Sequence, residues 1–63
     1  MGIRIDYSML GGEVYTTWIK EDGDAASLMG RVVFPFDVWM EMRMMLEGVE
    51  FVDKTPAQPE VKP

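Results

Sequence analysis

The chain contains neither cysteine nor histidine. No thiolate or imidazole is therefore present to hold a structural zinc ion, and there is no disulfide framework of the kind that staples small secreted domains. The same absences remove the usual general base and the strongest side-chain nucleophile from any catalytic scheme. Basic residues are few, six against eleven acidic ones, for a net charge of −5. Phosphate contacts supply most of the affinity of proteins for nucleic acid, so direct nucleic-acid binding is not expected. No apolar run approaches the ~20 residues that span a bilayer, and the N-terminus lacks the basic region and apolar core of a signal peptide. The expectation is a soluble, cytoplasmic protein without membrane contact. Gly2 lacks the context for myristoylation, because Asp6 stands where that motif requires Ser or Thr.

At 63 residues the chain is one domain, and a chain of this size buries only roughly 60% of the surface its unfolded form exposes. Metals and disulfides are excluded as reinforcement. Association, with itself or with another protein, is what remains.

The stretch that is present in strength is FPFDVWMEMRMMLEG, from Phe34 to Gly48. Val38, Trp39, Met42, Met45 and Leu46 recur at helical spacing and predict one core-facing side. Pro35 suits the first turn, Asp37 complements the positive end of the helix dipole, and Gly48 is the expected stop. The other side carries Phe36, Met40 and Met44, interrupted by Arg43 and Glu47. A helix apolar nearly all round needs cover on more than one side.

Before it, Ile3 to Tyr7 alternates with the period of a half-buried strand, and Gly11-Gly12 offers a tight reversal. Glu13 to Lys20 is rich in β-branched and aromatic residues and predicts a second strand with Val14, Thr16 and Trp18 on one face and Tyr15, Thr17 and Ile19 on the other. Glu21-Asp22-Gly23-Asp24 reads as a hairpin turn. Its three carboxylates lack the order of a calcium loop, so a solvated turn is expected and no metal. Ser27 to Phe34 forms a third strand in which Gly30 marks a bulge or the close approach of another backbone. Val49 to Val52 reads as a short last strand at a sheet edge. Lys54 onward is proline-rich and aperiodic, an extended tail. The expected fold is α+β: a small three- to four-stranded antiparallel sheet in the order β-β-β-α-β with one helix packed on a face, spanning residues 1–53, followed by a tail at 54–63. In an alternative, the last strand pairs with a neighbouring chain in a shared sheet.

No catalytic constellation emerges. Ser8 and Ser27 have no base at motif spacing, no phosphate-binding loop joins a strand to a helix, and no cofactor is expected. Asp37 and Glu41 share a helix face at i, i+4, a spacing that a two-carboxylate mechanism could use and that an exposed acidic stripe produces far more often.

Seven methionines are the compositional oddity, four of them in the helix stretch. Methionine fills irregular cores and serves adaptable binding surfaces. Met42 and Met45 read as core, while Met40 and Met44 with Phe36 read equally as a second core layer or a contact patch. Trp39 is expected inside, and Tyr15, sharing a face with Ile19, outside as an interface aromatic. Arg31 and Arg43 are the candidate basic anchors at a contact edge.

The pattern suggests a non-catalytic protein-protein interaction module, an accessory subunit or inhibitor that binds a larger protein. Phe36, Met40, Met44, Arg43, Tyr15 and Ile19 are its expected partner-binding residues. An unpaired sheet edge would join the contact and the acidic turn would steer it. Two alternatives stand beside this reading: a homo-oligomer that pairs the same patch with its copy, and a DNA mimic, which would need its acids gathered on one side.

Overall fold

The computed structural model of the chain describes residues 2–56. Its elements are β1 (Gly2–Leu10), β2 (Glu13–Asp22), β3 (Ala25–Pro35), α1 (Phe36–Met45) and β4 (Val49–Asp53), in one four-stranded sheet ordered β3-β2-β1-β4. The expected succession of elements is present. The sheet, however, is mixed rather than antiparallel, because β4 pairs parallel with β1, Ile3 opposite Val49 and Ile5 opposite Phe51. The reason is the helix. Two hairpins leave β3 running in the direction of β1, and α1 then carries the chain back over the sheet to the far edge, so β4 starts in that direction again. β4 is paired on one side by its own β1 and forms the second edge of the sheet.

Both hairpins have two-residue loops. Gly11 and Gly12, at φ 60° and 82°, take the two positive angles that a type I′ turn requires, between the partners Leu10 and Glu13. In the second, the loop is Gly23-Asp24 between Asp22 and Ala25, and only Gly23 is positive, at φ 65°. This is the type II′ pattern, with glycine first, rather than the Asp-Gly loop that the dipeptide suggests.

One face of the sheet is formed by Ile3, Ile5, Tyr7 and Met9 with Val14, Thr16 and Trp18, continued by Val32 and Phe34 on one side and Val49 and Phe51 on the other. α1 lies on this face. Trp39 is fully buried, its ring centroid 5.5 Å from that of Tyr7 and 5.8 Å from those of Phe34 and Phe51. One turn later Arg43 lays its guanidinium 5.2 Å from the Tyr7 ring centre and 5.0 Å from that of Phe51, a pair of cation–π contacts. Met42 and Leu46 pack on the same cluster. The seated side of the helix is thus Trp39, Met42, Arg43 and Leu46.

This corrects the expected core. Val38 and Met45 are exposed, Met45 at 79%. The cause is coverage: a ten-residue helix is about 15 Å long and about 10 Å wide, while four strands about 4.8 Å apart present a broader floor. Arg43 marks the flank toward β1 and β4. Val38 and Met45 lie on the opposite flank, toward β3, where Val38 is only partly covered and Met45 almost wholly open. The helix also ends at Met45, earlier than Gly48, with Leu46 already extended and its N–H bonded to the Met42 carbonyl.

The start of the expected tail continues the β1 edge. Lys54 N–H donates to the Tyr7 carbonyl at 2.7 Å, Met9 N–H donates to Thr55 Oγ1 at 3.0 Å, and Thr55 N–H donates to Asp53 Oδ1 at 2.9 Å. The Thr55 hydroxyl and then the Thr55 N–H, aided by the charge of Arg43, hold the Asp53 carboxyl below its ordinary pKa. Residues 57–63 of the expected tail lie outside the described residues.

Candidate interaction surface

The other face of the sheet carries no helix. Its centre is polar: Arg4 lies 3.0 Å from Asp6, an ion pair off the hydrogen-bonding direction, and donates to Glu21 at 3.0 Å. Exposed Tyr15 and half-buried Ile19 belong to this face. Phe36, Met40 and Met44 lie on the opposite side of the molecule, along the outer helix at i, i+4 and i+8, with Met44 83% exposed. The structure therefore gathers Phe36, Met40 and Met44 and separates them from Tyr15 and Ile19, so the six expected partner-binding residues do not make one surface. Arg43 is held over Tyr7 and Phe51, and its Nη1 donates to the Tyr7 hydroxyl at 3.4 Å. It is half-buried and held against these rings rather than extended into solvent. No protein-family model, curated protein or solved structure matches this chain.

A second apolar surface, unassigned from sequence, follows β3. This strand is a sheet edge, and Leu28, Met29, Val32 and Val33 along it are exposed, Leu28 at 58%. The β4 edge, by contrast, has five residues and carries Glu50 and Asp53, the short, charged design that discourages strand addition. On the helix side of β3 a shallow hollow of about 320 Å³ opens between Trp18, Met29, Gly30 and Val32. A second, of about 470 Å³, is lined by Ile3, Lys20, Met29, Glu47 and Val49 among others, so Met29 borders both.

Two features shape this floor. Thr16, nearly fully buried, donates its hydroxyl to the Val32 carbonyl at 2.7 Å and accepts from Trp18 Nε1 at 2.9 Å, which fixes the Trp18 ring across the hollow. The bulge falls at Met29, where pairing slips between Trp18–Gly30 and Ile19–Leu28. No backbone crowds Gly30: a Cβ built there meets nothing within 4 Å. The glycine leaves open space rather than admitting a neighbour within its own chain.

Asp37 and Glu41 are exposed on the helix and line neither hollow, and the described residues include no group of three or more Asp and Glu placed to hold a metal ion. The carboxylates are spread over both sides, Asp6, Glu13 and Glu50 on the helix-free face and Asp37 and Glu41 above the other, which dilutes any DNA-like field. No helix among the described residues is long and apolar enough to cross a membrane.

Proposed function

We propose that the protein is a non-catalytic interaction module, an accessory subunit or inhibitor that seats the outer face of α1 in a groove on a larger protein. The observation behind this reading is the line Phe36, Met40 and Met44, exposed on a helix whose inner side is already packed by Trp39 and Arg43. An amphipathic helix laid in a groove engages at such i, i+4, i+8 positions, and methionine adapts its shape to the partner. Asp37 and Glu41, exposed on the same helix, flank the line. The matching partner is an apolar groove with a basic rim, and the net negative charge accelerates the encounter.

Affinity capture from an extract of the producing cells tests this, comparing the wild type with Met44→Asp, Met40→Asp and Glu41→Lys. These exposed substitutions change stability by about 0.5 kcal/mol or less, which circular dichroism verifies. A partner retained by the wild type and lost with all three supports the reading. Equal retention by every variant, or none by the wild type, refutes it.

A further inference from the structure

We propose that β3 pairs antiparallel with β3 of a second copy of this chain across a two-fold axis, making a continuous eight-stranded sheet. The ladder identifies the backbone groups that would bond. Two-residue loops are closed by hydrogen-bonded pairs, and bonded and non-bonded pairs then alternate. Leu10–Glu13 and Asp22–Ala25 are such pairs, so Val14, Thr16 and Trp18 direct their backbone groups toward β3, and Phe34, Val32 and Gly30 direct theirs back. The bond from Phe36 N–H to the Gly12 carbonyl, 3.2 Å, falls in the same phase. Arg31 and Val33 therefore point N–H and C=O outward from the sheet edge, and each needs an acceptor and a donor.

A two-fold axis allows few registers. Centring on Arg31 sets that cation directly opposite its own copy, which is repulsive, and runs Val33 into the Met29 bulge. Centring on Val33 sets Arg31 opposite Pro35, which has no N–H to give. Centring on Val32 avoids the Arg31 repulsion and keeps Pro35 off Arg31; Pro35 meets the Met29 bulge of the second copy, so the ladder ends there and runs from Gly30 to Phe34. Arg31 then exchanges bonds with Val33 of the second copy, Val32 meets its own copy, and Phe34 lies opposite Gly30, beside the hollow over Trp18.

Charge favours a copy as occupant. None of the eleven acidic residues falls in β3, whose one charge is Arg31. In a chain of net charge −5 this is the stretch along which two molecules meet without opposing carboxylates. The helices agree with it. A two-fold axis perpendicular to the sheet keeps both on one side, with the flanks bearing Val38 and Met45 turned toward each other over the β3 seam. The surplus apolar positions of the helix pattern would then have cover.

Solution mass by light scattering over a concentration series tests the pairing, and charge substitutions test the register. Val33 is exposed on the helix-free face, so changing it leaves the monomer core intact. In the proposed register Val33→Lys opposes Arg31 of the second copy and Val33→Glu attracts it. With two such contacts per dimer, the dissociation constants of the two variants should differ about thirtyfold. Val33→Lys combined with Arg31→Glu should restore the dimer, and Met44→Asp, on the outer helix, should leave it unchanged. A wild-type monomer at every concentration would overturn the proposal and leave the edge to another protein's strand. So would equal weakening by Lys and Glu, or dissociation by Met44→Asp, which would move the contact to the helix.

Discussion

Removing Trp39 tests the account of what holds the domain together. Its side chain is fully buried and meets the rings of Tyr7, Phe34 and Phe51, from β1, β3 and β4, so it joins both outer strands to the helix. Truncating such a residue to alanine costs about 3–5 kcal/mol. At roughly 0.05–0.15 kcal/mol per residue, the whole fold of a 63-residue chain is worth about 3–9 kcal/mol, of the same order as that loss. Trp39→Ala should therefore lower the melting temperature by at least about 12 °C, and a substantial fraction should be unfolded at 25 °C. Trp39→Phe separates two contributions. The indole Nε1 is buried without a hydrogen-bond partner among the described residues, and an orphaned donor of this kind costs about 1–3 kcal/mol. Phenylalanine removes that donor and leaves a small cavity costing about 1 kcal/mol. The two nearly cancel, so Trp39→Phe should melt within a few degrees of the wild type. Thermal and urea unfolding followed by far-ultraviolet circular dichroism supplies both numbers. If Trp39→Phe were as damaging as Trp39→Ala, the N–H would be contributing a bond and the packing account would be wrong. A small shift for Trp39→Ala would remove Trp39 from the centre of the core.

Thr16→Val keeps the shape of the residue but removes the link from Trp18 Nε1 to the Val32 carbonyl; stability should fall by about 1 kcal/mol, and Trp18 should lose indole N–H exchange protection that Thr16→Ser retains. The pH response follows from Asp53, whose pKa is lowered from 3.8 by the Thr55 hydroxyl and N–H, with a smaller contribution from Arg43. A depressed carboxylate contributes stability that is present above its unfolded value and lost as pH falls through the folded one. On acidification below about pH 4, the Met9 and Thr55 amides should therefore exchange faster before the core melts, and Asp53→Asn should abolish that acid dependence.

What the sequence made legible was local. Alternation in Ile3 to Tyr7, the β-branched run of β2 and the two glycine turns define elements through neighbouring residues alone, and those elements are present. The direction of β4 depends on which edge the helix crosses to, and no five-residue strand records that in its own residues. Arg43 went astray for a related reason. Helical spacing sorts residues by polarity, yet at this position a guanidinium over Tyr7 and Phe51 completes the seated face, because a cation on aromatic faces packs as an apolar group does. The sequence pattern instead nominated Val38 and Met45, and here it reports something the single chain does not satisfy. Their spacing is that of a core face, while their surroundings are solvent. The β3 edge is blunted only at Pro35 and at the Met29 bulge; the run between them, Gly30 to Phe34, carries one charge, Arg31, where an edge left to water ordinarily carries several. A helix flank patterned for burial and a short open stretch of edge, Gly30 to Phe34, lie side by side along β3. One added strand with its own helix would resolve both.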